Sequence, residues 1–410
     1  MKSGNFWTWK ASVLAIGFCL ASLPAQAQSV EELRQQIETL NKRLDQLEMQ
    51  KSDGQTTGDL APAAGAAGDK TVTSGNERVK LSVSGQVNRG VLFVDNGPTE
   101  EFFHVDNDNS STRVRFIGEG KFNDDVTVGT QIEVQFESNS TADIRIDQDS
   151  PAGPNSFTER KLEFFVDSET LGRLWVGQGD TASNSTSEVD LSGTDVVAYS
   201  GIADMAGGIA FATSGNVLGP RINQAFNNFD GLSRDDRIRY DTPSLAGFTA
   251  SASAVDGGSW DAALRFAGDF GGIKTVAAVA YANANSRQGF DQVNGSVSVL
   301  LPMGLNLTGA AGTRDISARS GDDPMTYYVK LGYRFQPFDF GETALGIDYG
   351  KTDDLAAMGD EFMTYGAFAV QRFDQIGTEF YLAVRNHELD RSGTDFDDVF
   401  AVLSGARIKF

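Results

Sequence analysis

The clearest pattern in this sequence is a regular alternation of apolar and polar residues, which starts at Val79 and runs to the C-terminus. A period of two is typical of β-strands whose two faces meet different surroundings. Many of these segments are about ten residues long, the length at which a tilted strand crosses a bilayer. The last one ends on Phe410, with Arg407 and Lys409 between apolar or small residues. The pattern predicts an all-β protein with membrane-crossing strands.

The connections between these segments alternate between short and long. The short ones cover residues 123–124, 167–172, 244–247, 269–272, 302–304 and 337–341. The long, polar ones cover residues 95–110, 137–157, 178–233, 256–261, 282–290, 314–325, 351–360 and 386–396. Eight long loops, with short turns at the opposite end, predict a sixteen-stranded antiparallel transmembrane β-barrel over residues 79–410. A closed barrel also satisfies every backbone hydrogen-bonding group in lipid.

The first residues have the features of an export signal. Lys2 and Lys10 accompany a short apolar run, and residues 25–27 (Ala-Gln-Ala) supply a cleavage pattern. We therefore expect residues 1–27 to be removed as a signal peptide. Cys19, the only cysteine, lies in this segment, so the mature chain would contain no disulfide.

The pattern after the signal is helical. Apolar residues recur at spacings of three and four, at Val30, Leu33, Ile37, Leu40, Leu44 and Leu47. These heptads predict a short N-terminal coiled-coil helix over residues 28–50; a single amphipathic helix lying on a surface is the alternative. Residues 51–78 are rich in small and polar residues and have no period, which predicts a flexible linker.

The charge of the chain limits its partners. It has 34 basic and 56 acidic residues, a net charge of −22, which becomes −24 once Lys2 and Lys10 leave with the signal. Nucleic acid is excluded as an expected partner, because phosphate binding needs a basic surface. The mature chain has no apolar run of about 18 residues and hence no predicted transmembrane helix. A soluble β-protein remains the rival class, but the length of the strands favours the membrane barrel.

Four segments resemble the sixteen-stranded trimeric porins of Gram-negative outer membranes. They are residues 111–125, 171–178, 238–248 and 407–410, in the order that the family has them. The N-terminal extension is similar to that of porins with a periplasmic helical stalk. The resemblance implies an outer-membrane porin for passive diffusion of small hydrophilic solutes and ions. It also implies a homotrimer in contact with outer-membrane lipid and lipopolysaccharide, with no cofactor.

The resemblance further implies a pore constriction, because the third loop of these porins folds into the barrel. The longest connection here, residues 178–233, has the matching position. The acidic candidates are Asp180, Glu188, Asp190, Asp195 and Asp204. The basic candidates on the barrel wall are Arg113, Arg115, Lys161, Arg237 and Arg239. Arg113 and Lys161 align with basic wall residues of the family, and alternation supplies the other three.

Opposed charges across a narrow gap create a field that orients dipolar solutes. The acid-rich loop and the net charge predict a mild preference for cations. A substrate-selective channel, whose transport would saturate, is an alternative to a general porin. A second alternative is a structural tether, in which the coiled coil binds peptidoglycan and the pore is incidental.

Two further interpretations concern chemistry in the loops. A hydrolase would need His104 and His387, the only histidines, which the loop assignment places in neighbouring loops. No nucleophile motif accompanies them, and the sequence predicts no enzyme. Acidic runs such as residues 106–108 and 322–323 could bind calcium, but they lack the full spacing of a calcium-binding loop.

Overall fold

The structure is a computed structural model that describes residues 72–76, 78–148 and 157–410. The predicted signal peptide (residues 1–27) and coiled coil (residues 28–50) lie outside the described residues, as does most of the predicted linker. Among the described residues, no helix is both long and apolar enough to cross a membrane.

Twenty strands account for most of the described residues. In chain order they are β1 (Val72–Gly75), β2 (Val79–Asp95), β3 (Glu100–Asp106), β4 (Arg113–Lys121), β5 (Val126–Phe136), β6 (Phe157–Ser168), β7 (Gly172–Asp180), β8 (Ala210–Ala212), β9 (Leu218–Arg221), β10 (Arg234–Asp241), β11 (Phe248–Val255), β12 (Trp260–Phe270), β13 (Ile273–Asn283), β14 (Phe290–Leu300), β15 (Leu305–Ile316), β16 (Met325–Phe338), β17 (Gly341–Asp353), β18 (Glu361–Phe373), β19 (Thr378–Asp390) and β20 (Val399–Lys409). A short helix, α1 (Ile222–Ala225), and 3-10 turns at Asp108–Ser110, Ile202–Asp204, Asp256–Gly258 and Asp374–Ile376 complete the set in this part of the chain.

The long strands form one closed antiparallel barrel of sixteen strands. β3 and β4 together make the second barrel strand, because β2 pairs with β3 over residues 89–95 and with β4 over residues 79–86. β20 closes the ring on β2, with Gln86 opposite Lys409. β8 and β9 form a separate hairpin, and β1 pairs with the start of β2. The prediction of an all-β, sixteen-stranded barrel is confirmed for the described residues.

Apolar side chains cover the outer surface of the barrel. Ile238 and Ile347 lie in mid-strand, yet they are 55% and 57% exposed. Because successive side chains of a strand point to opposite faces, this alternation gives a lipid-facing band and a separate inner face. Near one rim, Phe340 stacks between Phe338 and Phe373, with ring centroids 4.8 and 4.7 Å apart, as in an aromatic girdle at a membrane interface.

Tight turns join the strands at one end of the barrel, where the sequence predicts short connections. Residues 271–272 separate β12 from β13, and residues 339–340 separate β16 from β17. Gly304 precedes β15 with a φ of +92°, and a Cβ atom there would lie 1.9 Å from the carbonyl oxygen of Arg334. Only glycine fits such a turn without displacing the neighbouring strand.

Several boundaries differ from the predictions. The predicted first loop, residues 95–110, contains β3, whose backbone pairing with β2 outweighs its acidic start. His104 therefore lies in a strand, and so does His387, because β19 extends to Asp390. Within the predicted linker, β1 is paired rather than free of regular structure.

The chain between β7 and β10, residues 181–233, lies inside the barrel and is named L3 here. L3 contains β8, β9 and α1, and it brings its own apolar side chains into the lumen. Those on the L3 side include Ile202, Met205, Ile209, Phe211, Ile222 and Phe226. Those on the barrel wall include Leu92, Val94, Phe362, Phe368, Val370 and Leu403. The burial of these groups provides the hydrophobic driving force that seats L3 against the wall formed by β2 and β16–β20.

Candidate pore constriction

The two ends of L3 are fastened to each other and to the barrel wall. The Thr181 amide donates to the Ser233 carbonyl oxygen at 3.0 Å, which closes the base of the loop. The amides of Ala182 and Ser183 donate to the carboxylate of Asp261 on β12, at 3.2 and 2.9 Å. L3 is therefore held at its base by backbone and carboxylate hydrogen bonds.

Asp190 fastens the middle of L3 to the wall. Its carboxylate forms a buried ion pair with Lys330 on β16, and neither side chain is more than 2% exposed. Lys330 Nζ also donates to Thr194 Oγ1 at 3.0 Å and to the Ala198 carbonyl oxygen at 2.7 Å. The structure thus places Asp190, a predicted constriction acid, in an anchor beneath L3 rather than on the open side of the loop.

A group of arginines on the opposite wall surrounds one carboxylate, Glu133 on β5. Arg115 Nε lies 2.6 Å and Arg160 Nε 2.7 Å from its oxygens, and Arg113 Nε lies 4.0 Å away. Glu133 is 1% exposed, whereas the three arginine side chains are 16–28% exposed. The buried acid therefore holds three guanidinium groups at the surface of the lumen.

A β-bulge doubles the basic side chains that β6 contributes. Glu133 pairs with Lys161, but the next residue, Val134, pairs with Glu159, so Arg160 is an extra residue in β6. A bulge of this kind lets two consecutive side chains face the same side of the sheet. Strict alternation would place Arg160 on the lipid side, so it does not predict that Arg160 pairs with Glu133 inside the barrel. The consecutive Arg160-Lys161 pair is the sequence signal that breaks the alternation.

Asp180 belongs to the basic wall rather than to the opposing acids. One oxygen lies 2.6 Å from Lys161 Nζ and the other lies 2.9 Å from Arg234 Nε. Asp180 ends β7, directly before L3, so its carboxylate holds two cations next to the base of the loop. The structure brings the predicted residues Lys161 and Asp180 together as neighbours, and it adds Arg234.

Arg237 and Arg239 lie under the base of L3. Arg237 forms a buried ion pair with Glu163, and Gly179 leaves room for it, because a Cβ there would lie 2.4 Å from a Glu163 carboxylate oxygen. Arg239 Nε lies 2.8 Å from Asp241, and the side chain is 10% exposed. Both predicted wall residues face inward, but their charges are already paired.

The acids on the open side of L3 have few basic contacts. Asn228 Nδ2 donates to Glu188 at 3.0 Å, and the Tyr199 hydroxyl donates to Asp204. Asp230, outside the predicted set, accepts two backbone N–H groups of L3 at 2.6 and 2.8 Å. These hydrogen bonds orient the carboxyl groups, while the cations of the wall remain opposite them.

Burial and crowding make these acids hard to ionise. Burial, reinforced by the negative charge of Asp108, raises the pKa of Asp204 to about 8. Burial also raises the pKa of Asp230 to about 6, although backbone N–H groups oppose the shift. Burial, followed by the charge of Asp230, raises the pKa of Glu188 well above its usual value. These acids on L3 therefore stay protonated to a higher pH than exposed carboxyl groups do.

Asp195 behaves in the opposite way. Burial opposes its ionisation, but the charges of Arg407, Arg372 and Lys409 outweigh burial and lower its pKa. Arg407 and Arg372 are themselves paired with Glu379, at 2.5 and 3.3 Å. Asp195 is thus an ionised acid close to a second cluster of basic side chains, which lies on β18 and β20.

The two histidines do not come together. His387 is fully buried inside the barrel, with its ring centroid 5.8 Å from that of Phe362, whereas His104 is exposed on β3. Within residues 72–76, 78–148 and 157–410, no group of three histidine, cysteine or acidic side chains is arranged to hold a metal ion. The geometry offers no support for the hydrolase or for a calcium site.

The barrel fold recurs in solved structures. An anion-selective porin from Comamonas acidovorans is 14% identical, with a TM-score of 0.55, over 81% of this chain and 100% of that one. OmpT of Vibrio cholerae is 12% identical, with a TM-score of 0.55, over 82% and 99% of the two chains. The outer-membrane channel DcaP of Acinetobacter baumannii is 12% identical, with a TM-score of 0.53, over 82% and 99%. At these identities the likeness shows the fold alone.

Sequence comparison identifies the family. Among curated proteins, none matches the chain significantly. The Gram-negative porin family matches residues 12–392, which is most of the sequence. This match, the sixteen-stranded barrel and the porin neighbours agree on a channel rather than an enzyme. The chain belongs to the Gram-negative porin family and is an outer-membrane porin.

Proposed function

We propose that the chain forms a water-filled channel through which small hydrophilic solutes and ions diffuse down their concentration gradients. The observation that carries this proposal is the arrangement of charge in the lumen. L3 presents Glu188 and Asp204 on one side, and the wall presents Arg115 and Arg160 on the other.

Opposed charges of this kind act on solutes without any chemical step. A field across the gap orients a dipolar solute and favours it over an apolar one. The hydrophobic seat of L3 and the Asp190–Lys330 pair keep the two sides at a fixed separation. No cofactor or energy source is needed for this mechanism.

The ion preference depends on which side carries more uncompensated charge. The wall cations are partly neutralised by Glu133 and Asp180, which favours the cation preference predicted from the sequence. Protonation of the L3 acids opposes it, because a protonated carboxyl group does not attract cations. We therefore propose a weak preference for cations near neutral pH.

A trimer is the assembly that we propose. An ion pair, Arg89–Asp106 at 2.7 Å, lies on the outer face of β2 and β3, and Arg89 is 45% exposed beside the outward-facing Val87 and Val91. Arg89 is opposite Ala406, about 10 Å along the barrel from the chain end. A charged arginine facing lipid at this depth would destabilise the protein. Contact with a neighbouring subunit is therefore a better environment for Arg89 than lipid. A trimer form is described for the V. cholerae OmpT neighbour.

Outer-membrane lipid and lipopolysaccharide would surround the rest of the apolar band. The predicted coiled coil, residues 28–50, would add a trimerising stalk on the periplasmic side. Binding of that stalk to peptidoglycan stays a prediction that the described residues do not address.

Swelling of liposomes that contain the purified trimer tests the function. A graded series of neutral sugars and amino acids should enter at rates that fall smoothly with size and rise linearly with concentration. Saturation with one solute would favour the substrate-selective channel. No swelling with any solute would contradict the porin proposal, provided that the trimers are folded.

A further inference from the structure

A second loop enters the barrel beside L3. It comprises residues 138–147, which follow β5, and is named L2 here. The Asp106 amide donates to the Asn139 carbonyl oxygen at 2.8 Å, and the Thr141 amide donates to the Asp106 carbonyl oxygen at 2.9 Å. These bonds hold L2 alongside the end of β3, where the second barrel strand is interrupted before β4. Further along L2, Ile144 is 2% exposed and belongs to the same apolar cluster as the side chains of L3.

One buried hydroxyl group joins L2 to the acidic turn of L3. Thr141 is fully buried, and its hydroxyl donates to the Asp204 carbonyl oxygen at 2.5 Å. The same hydroxyl accepts from the Asp108 amide at 2.9 Å. Asp204 ends a 3-10 turn of L3, whereas Asp108 lies in the turn between β3 and β4. The Thr141 hydroxyl therefore ties the backbone of L3 to a segment of the barrel wall.

Two glycines bring the backbones of L2 and L3 into contact. Gly207 and Gly208 are both buried. A Cβ atom at Gly208 would lie 2.4 Å from the Ile144 carbonyl oxygen and 2.7 Å from the Asp143 carbonyl oxygen. A Cβ atom at Gly207 would lie 2.8 Å from the Ala142 carbonyl oxygen. Because backbone atoms cannot rotate away as the end of a side chain can, a larger residue at Gly208 would push the two loops apart.

This junction holds a different part of L3 from the anchors to the barrel wall. The hydrogen bonds to Asp261 and the anchor at Asp190 hold the first part of the loop. The contacts with L2 hold residues 204–208, at the end of the acidic turn and directly after it. An ion pair between Arg221 and Asp147, at 3.9 Å and partly exposed, adds a weak contact at the end of β9. L2 therefore supports the part of L3 that carries the acidic turn.

We propose that Thr141 and Gly208 are positioning residues of the channel, through which L2 holds the acidic turn of L3 at a fixed distance from the basic wall. This inference rests on the proposed channel function. While the junction is intact, the gap between Asp204 and the wall arginines keeps one width, and solutes are sorted by size. When the junction is broken, residues 202–208 move more freely, so larger solutes pass and the current through the open channel fluctuates.

Liposome swelling with neutral sugars tests the width of the gap, because these solutes carry no net charge. Thr141→Val keeps the shape of the side chain but removes the hydroxyl group. We expect the swelling rate for a disaccharide relative to a pentose to rise about twofold, with a noisier open-channel current. Thr141→Ser, which keeps the hydroxyl group, should retain the wild-type ratio. A lower unfolding temperature of Thr141→Val with an unchanged ratio would leave Thr141 a structural role only and would overturn the inference.

Gly208→Ala tests the same junction from the L3 side and should raise the ratio in the same direction. Gly215→Ala is the matched control, because Gly215 lies in the exposed turn between β8 and β9 of the same loop. A Cβ atom there would have its nearest neighbour, Thr213 Oγ1, at 3.7 Å, so this variant should leave the ratio unchanged. Wild-type ratios in folded trimers of both Thr141→Val and Gly208→Ala would overturn the inference. Absence of swelling with folded wild-type trimers would instead contradict the proposed function.

Discussion

Asp190 and Asp204 lie on the same loop inside the same barrel, yet they perform opposite tasks. Asp190 is buried against Lys330, so its charge is neutralised and holds L3 to the wall. Asp204 meets Tyr199 and other acids, and its charge depends on protons. The difference lies in the neighbouring residue: Lys330 on β16 pairs with Asp190, whereas Asp108, in the turn before β4, places a second carboxylate near Asp204. A carboxylate on such a loop acts as an anchor or as a pore charge according to its nearest partner.

The largest effect should come from removing the anchor's cation. Lys330→Met leaves the Asp190 carboxylate buried without a partner, and we expect a loss of about 3–5 kcal/mol in the free energy of unfolding. Denaturant unfolding of the purified protein in detergent would measure it. The double variant Lys330→Met/Asp190→Leu should recover most of the loss, because an apolar pair leaves no buried charge. A single variant as stable as the wild type would show that the ion pair does not hold L3.

The second-largest effect should come from removing Glu133, the central acid of the basic wall, and it should change the ion selectivity of the pore. In Glu133→Gln, the three arginines around Glu133 lose their neutralising charge, so the pore should shift toward anions by about twofold in permeability ratio. Reversal potentials at neutral pH would measure the shift. Glu159→Gln, which removes an exposed acid from β6, is the control and should change nothing. Equal ratios in both variants would mean that the wall does not set the field.

The stability of the folded protein should depend on the protonation of Asp204. Because the pKa of Asp204 is raised to about 8 in the folded state, the folded protein binds more protons than the unfolded chain between about pH 4 and pH 8. Stability from this group is therefore present at low pH and is lost as the pH rises through that window. Asp204→Asn should be stabilising relative to wild type at pH 9 but not at pH 4, by denaturant unfolding. Stabilisation of the same size at both pH values would show that the pKa of Asp204 is not raised in the folded protein.

The smallest effect should come from the ion pair on the outer face. Arg89→Gln weakens a pair that is partly exposed in one subunit, and we expect the trimer to lose about 1 kcal/mol or less per subunit. The midpoint temperature of trimer dissociation on semi-native gels should fall by a few degrees. Arg145→Gln, in the loop that follows β5, is a control for the loss of one positive charge. No change in trimer dissociation would indicate that the Arg89–Asp106 pair faces lipid and not a neighbouring subunit.

The barrel could be predicted from the sequence because one face of every strand meets lipid. Exposure of that face to lipid produces an alternation of apolar and polar residues in the sequence, and turn residues such as Gly304 mark the strand ends. The third loop could be located by its length and by family resemblance. Its internal packing could not, because side chains such as Phe211 and Phe226 carry no periodic signal in an irregular loop.

The individual roles of the charged residues were less predictable. Alternation gives the inner face of a strand, but the bulge at Arg160 breaks it, and partners such as Glu133 and Lys330 are distant in sequence from what they bind. The same limit applies to Asp108, which reaches the constriction only because the second barrel strand is interrupted. Pairing in three dimensions, which the sequence pattern does not encode, separates anchors from pore charges.

The central claim is that folded trimers conduct ions through a constriction set by L3 and the basic wall. Single-channel recording in a planar bilayer at neutral pH tests it most directly. Conductance steps should arrive in groups of three, with a reversal potential slightly on the cation side. Heat-modifiable, correctly folded trimers that show no conductance would contradict it.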